Sequence, residues 1–126
     1  MRQTFTVMGR LPGLNEYINA CRNNKYTGAA MKKEMQEYVR VEIVRSHLTP
    51  VEGRCRLQYT FFERNRNRDM DNVSGFAHKV VQDALVEAGV LEGDGWKHIA
   101  GYTDNFEIDR DCPRIEVTLI YSAESN

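Results

Sequence analysis

The sequence predicts a small α/β (α+β) domain in the order β-α-β-α-β-β, a mixed sheet with two helices packed on it. Three observations carry this. A chain of 126 residues suits one domain spanning 1–126 with one core. Residues Arg54 to Glu63, "RCRLQYTFFE", alternate apolar and polar side chains, the mark of a half-buried strand. From Val73 to Ala88 the apolar residues Val73, Phe76, Ala77, Val80, Val81, Ala84, Leu85 and Ala88 follow the i, i+3, i+4, i+7 rule of an amphipathic helix.

In chain order, "QTFTVMG" alternates and reads as the first strand. "RLPGLNEYINACRNNKYTG" holds Pro12, Gly13, Asn15 and paired asparagines and reads as a long functional loop. A helix follows from about Ala29 to about His47, capped by Thr27 or Gly28 and broken by Pro50 and Gly53. In the second strand Cys55, Leu57, Tyr59 and Phe61 face inward, which gives Arg54, Arg56, Gln58 and Thr60 a basic outer face. The second helix has Asp71 or Asn72 as N-cap and Gly89 as its stop. "VLEGDGW" is a turn, "KHIAGYTDNFEID" and "RIEVTLIYS" are the last strands, and residues 122–126 form a polar, frayed tail.

Composition limits the function classes. The formal net charge of -1 excludes a uniformly basic nucleic-acid binder, so any attraction for phosphate must come from local clustering. Three cysteines without C-x-x-C spacing argue against a disulfide framework or zinc knuckle and for reduced thiols. The first residues lack a signal-peptide apolar run, and no stretch is long enough for a membrane span, so a cytoplasmic protein with no membrane partner is expected.

The densest chemistry lies in residues 64 to 72, "RNRNRDMDN". Asp69 and Asp71, at i and i+2, would point to one side in extended backbone. Two such carboxylates repel unless a cation or strong donors lie between them, and Mg²⁺ is held by one or two carboxylates plus water and substrate oxygens. The competing reading is an Asp/Asn-rich turn that caps the helix. A calcium loop fails on Ser74 and Val80 at its glycine and glutamate positions. Asp94, between two glycines, is either a third metal ligand or a plain turn residue. Lys79 and Asp83 share the Asn72 flank of the helix, either as an i, i+4 ion pair or as a lysine aimed at a site past the helix start. His47, His78 and His98 read as structural. Arg54, Arg56, Arg64, Arg66 and Arg68 are dense enough to track a phosphate backbone, and equally suit a solvated charged face. No nucleotide-binding P-loop and no nucleophile elbow is present, and no small-molecule cofactor is expected.

"RDMDN", the following helix with "K…DAL", and "EAGVLEGDGW", together with the N-terminal "LPGLNEY", resemble the RusA-type Holliday junction resolvase (crossover junction endodeoxyribonuclease) family across nearly the whole chain. The resemblance implies a bacterial or phage-encoded enzyme, a homodimer that nicks four-way DNA junctions in pairs. It implies that Asp69, Asp71 and Asp94 bind catalytic Mg²⁺ (Mn²⁺ as a substitute), that Lys79 is the basic catalytic residue, and that Asn72 and Asp83 support the site. DNA contacts would fall to the five arginines and to Asn15, with Tyr17, Tyr26 and Phe62 as candidates to stack at the crossover. The sequence departs from the family pattern twice. Counted from D-x-D-N, the lysine belongs at Gly75; counted back from "DAL", it is Lys79. Where the family often has two aspartates, this chain has Gly93-Asp94. Two other readings compete: a branched-DNA-binding protein without cleavage, and a nuclease for flaps or other branches.

Overall fold

The computed structural model describes residues 1–122 and orders its elements as β1 (Arg2–Met8), α1 (Leu14–Asn23), α2 (Lys25–Arg45), β2 (Cys55–Glu63), α3 (Met70–Glu87), β3 (Ile99–Ile108) and β4 (Arg114–Tyr121). From residue 123 on, the expected tail lies outside the described residues. The four strands form one mixed sheet in the order β1-β4-β2-β3, so the α+β expectation holds. β4 is central and antiparallel to both β1 and β2. β2 and β3 are parallel, a pairing that needs a crossover of a dozen or more residues, which α3 supplies.

The expectation of two helices is corrected to three, because residues 14–23 are helical rather than looped. Leu14, Tyr17, Ile18 and Cys21 already stand at i, i+3, i+4 and i+7. Gly13 takes the N-cap, and the Glu16 side chain accepts from its N–H at 3.2 Å, half of a capping box. Asn24 then ends α1 in extended backbone (φ -166°) and starts α2, its side chain accepting from the Tyr26 N–H at 2.8 Å. That cap moves the start of α2 from the expected Ala29 to Lys25, and Thr27 and Gly28 lie inside the helix. A Cβ on Gly28 would stand 2.4 Å from Cys21 Sγ, so glycine there allows α1 and α2 to pack as a tight hairpin.

All three helices cover one face of the sheet. β2 alternates buried and more open positions along its length, with Cys55, Leu57, Tyr59 and Phe61 inside as predicted. Phe5, Val117 and Tyr59 form one row across the sheet, and Phe76, Val80, Val81, Ala84 and Leu85 of α3 close over these strands in a single core. The other face is open and rich in threonine, with Thr4 and Thr118 joined at 2.9 Å. It also carries Arg56 and Phe62. Among the described residues no helix is long and apolar enough to cross a membrane. Cys21, Cys55 and Cys112 are free thiols.

Candidate metal and nucleic-acid site

The site begins where β2 runs out at Glu63. That carboxylate is buried, and Arg68 clasps it with two bonds of 2.9 Å while donating to the Leu11 carbonyl at 3.1 Å. Arg10 adds a second cation at 3.6 Å. A fork-on-fork pair of this kind fixes both orientation and position. It ties the 64–69 loop to the segment before α1. Asn65 bends the loop further by accepting from the Asn67 N–H at 3.0 Å. The expected row of like arginines therefore splits. Arg68 is a buried structural ion pair, 13% exposed at its side chain, whereas Arg64 and Arg66 project into solvent.

Asp69 follows as the N-cap of α3 in extended backbone (φ -64°, ψ 153°), which corrects the expected cap, Asp71 or Asn72, by two or three residues. Its side chain makes no capping bond. Asp71 lies inside the first turn, so the same-side geometry of an extended Asp-x-Asp does not apply. Both are exposed, and among the described residues neither carboxylate has a salt bridge or a side-chain hydrogen bond. Asn72 turns inward. Its side-chain oxygen accepts from the Asn15 N–H at 2.8 Å and lies over Gly13, where a Cβ would be 2.7 Å away. One amide thus pins the start of α1 to the start of α3 and brings exposed Asn15 beside the acids.

A groove of about 600 Å³ opens next to this end. Arg66, Asp69 and Glu107 give it a polar rim, and Met70, Val73 and Phe106 an apolar floor. Arg64, Arg66 and Arg110 border an adjoining depression. Arg110 was not foreseen; it comes here because parallel pairing ends β2 and β3 on the same side of the sheet.

The other predicted residues gather elsewhere. Asp83 is bound by Lys32 of α2 at 2.7 Å, and Lys32 also donates to Gln36 at 2.6 Å. Asp94 lies close enough to Asp83 to act on its carboxyl. Burial pushes the Asp83 carboxyl up, but the Lys32 bond, the Asp94 carboxyl and the Lys79 charge outweigh it and hold it below the usual range. Of the two readings of Lys79, the ion pair with Asp83 gives way to Lys32–Asp83, with Lys79 exposed and acting at longer range. At a helical rise of 1.5 Å per residue, Asp83 is about 18 Å along the axis from Asp71, and Lys79 about 12 Å. The structure therefore brings Asp69, Asp71, Asn72 and Asn15 together at the start of α3, sets Lys79 at its middle, and places Asp83 and Asp94 toward its C-terminal end. Among the described residues no group of three His, Cys, Asp or Glu side chains stands at metal-binding distance.

Gly75 and Gly93 are both closely covered by side chains. Gly75 faces Leu14 of α1, where a Cβ would meet Leu14 Cδ2 at 2.9 Å, so a lysine there collides with α1. Gly93 faces the His98 ring, with only 2.7 Å for a Cβ, so an aspartate there requires His98 to move. Arg54 borders a hollow with Asp94 and Trp96, and Arg56 lies on the open face across Gly101, both at the opposite end of the sheet from Arg64 and Arg66. Of the stacking candidates, Tyr17 is stacked on Phe76 at 4.5 Å and Phe62 lies under the Arg114 guanidinium at 3.8 Å, while Tyr26 is exposed. His78 is packed among Tyr59 and Tyr102 with Nε2 2.8 Å from Asp104. No protein-family model matches the chain, and no curated protein does.

Proposed function

We propose that this chain is a Mg²⁺-dependent, structure-selective endodeoxyribonuclease of the RusA type, acting on four-way DNA junctions as a homodimer. The observation that carries the reading is the pair of solvent-facing carboxylates Asp69 and Asp71, unpaired among the described residues and set at the start of α3 beside the cationic lip of Arg64 and Arg66. Hard oxygen donors left free of protein partners suit Mg²⁺, or Mn²⁺, which take one or two carboxylates and leave room for water and phosphate oxygens. The bound ion would offset phosphodiester charge and supply an activated water. Arg64, Arg66 and Arg110 hold the strand by its phosphates, and Asn15 lies on the same rim. Arg68, through Glu63, positions the loop rather than touching DNA.

Asp94 lies near Asp83, itself about 18 Å along α3 from Asp71, so a cage of all three acids needs two copies. A two-fold arrangement that sets the α3 helices antiparallel provides it, and it also suits a substrate that must be cut in pairs. Lys79, about 12 Å along α3 from Asp71, then belongs to the Asp94 half of the composite site.

The separation of the acids is also what favours a second reading, a branched-DNA-binding protein that does not cleave. Asp71→Asn separates the two. A nuclease loses cleavage in Mg²⁺ while its junction affinity stays within about twofold, since Asp71 makes no contact that holds the fold. If the wild type binds junctions but cuts neither four-way, flap nor linear DNA in Mg²⁺, the binding reading stands. Cleavage confined to flaps assigns a different branched substrate.

A further inference from the structure

The two edges of the sheet are treated differently. At the β1 edge, Tyr38 donates to the Met8 carbonyl at 2.6 Å, and Gln3 exchanges bonds of 2.8 and 2.7 Å with the Thr49 backbone. At the β3 edge the Ile99 N–H is held by the Gly95 carbonyl at 3.0 Å; beyond it, among the described residues, no side chain or loop bonds to the outward backbone of the strand. Proteins usually protect such an edge with lysine, proline, a bulge or a covering loop. β3 reads "IAGYTDNFEI", with neither lysine nor proline, and its single register shift lies at its start, leaving Gly101 to Ile108 regular. Large apolar side chains crowd the same border. Trp96 is 92% exposed, and Met70, Tyr102 and Ile108 are about half exposed or more.

We infer that the β3 edge is the surface on which a second copy of this chain docks, strand against antiparallel strand. The two four-stranded sheets would thereby join into one. Three observations select a copy of itself as the occupant. The first is shape. One half of the border presents a knob, Trp96 with Tyr102, and the other half a groove of about 600 Å³ floored by Val73 and Phe106. A two-fold axis near the middle of the strand sets each knob against the other copy's groove, twice over. The second is register. Tyr102, Asp104 and Phe106 share the helix-bearing face with the buried β2 residues opposite them. An axis through Asp104 would oppose two carboxylates, so it falls on Thr103 or Asn105 instead. The third is size. The regular run is about 26 Å long and the sheet-plus-helix edge about 20 Å deep, roughly 500 Å² before Trp96 and Met70 are added, against about 600 Å² per partner for a small specific interface. The interface supplies the two copies required by the resolvase reading and assigns their surface, but it does not depend on cleavage.

The single tryptophan makes the test direct, because all indole emission comes from Trp96. Sedimentation velocity and tryptophan fluorescence are followed on the full chain from about 0.1 to 100 μM. A dimer is expected whose formation shifts Trp96 emission to the blue and shields it from acrylamide. The Tyr102→Lys/Ile108→Lys double variant, altered only at exposed positions, should dimerise about 100-fold more weakly or worse with an unchanged far-UV circular dichroism spectrum. A wild type that stays monomeric, or a dimer that the double variant leaves intact, overturns the proposal. Should the variant not fold, the wild type decides: a dimer in which Trp96 remains as quenchable as in the monomer also overturns it. None of these readouts contains a nuclease step. An inactive protein with an edge dimer refutes the enzyme alone, and an active one with a different interface refutes only the edge.

Discussion

Arg68→Met is the sharpest test of how the arginine run is divided. It leaves the Glu63 carboxylate, whose side chain is 9% exposed, with only Arg10 at 3.6 Å. Removing one partner of a buried pair costs about 3–5 kcal/mol, because the remaining charge is uncompensated. The lost bond to the Leu11 carbonyl adds about 1 kcal/mol, and Arg10, free to swing closer, offsets a similar amount. The expected loss is therefore about 3–5 kcal/mol, a fall of roughly 1.5–2.5 M in the urea midpoint at an m-value of about 2 kcal/mol/M. Urea unfolding followed by circular dichroism measures it. Arg64→Met and Arg66→Met, exposed and unbonded, should each stay within about 0.5 kcal/mol of the wild type. Glu63→Leu combined with Arg68→Met should recover much of the loss, since an apolar pair of similar volume replaces the buried charges. If Arg68→Met is no more destabilising than Arg64→Met, the ion pair does not hold the loop and the assignment of Arg68 fails.

The same arginines separate in DNA binding: Arg64→Ala and Arg66→Ala should each reduce the salt slope of junction affinity by about 0.9, and an unchanged slope would remove them from the phosphate contacts. Gly75→Lys, which places a lysine where the motif count puts it, should lose about 1–2 kcal/mol, overpacking against Leu14 outweighing the gain in helix propensity; thermal unfolding that shows a gain would mean α1 yields freely. Asp83, with its folded-state carboxyl held below the usual value, contributes stability that is present above about pH 4 and lost as pH falls through the lower folded value. The stability difference between wild type and Asp83→Asn should thus be flat above about pH 5 and shrink below pH 4, and one that grew toward acid would contradict the Lys32 pairing.

What could be read from the sequence followed from periodicity. β2 and α3 carry clean periods of 2 and 3.6 and were placed within a few residues. The helix at Leu14–Asn23 has the same period, but Pro12, Gly13 and the asparagines read as loop markers; Gly13 and Asn24 in fact cap helices. Contacts between distant segments were out of reach. Lys32 meets Asp83 from another helix, Arg110 joins Arg64 only through parallel pairing, and nothing local distinguishes Arg68 from Arg66. The acids of the proposed site stand out by type and order. Their division between the two ends of α3 does not, because spacing along a chain does not fix which end of a helix the following loop reaches.

The central claim is cleavage, and one measurement addresses it most directly. A four-way junction labelled on two opposed strands is incubated with the wild-type protein in Mg²⁺ and, separately, with chelator. Paired nicks on the opposed strands in Mg²⁺, absent with chelator, are the predicted result. A junction bound with the same affinity in both conditions and left uncut in Mg²⁺ would contradict it.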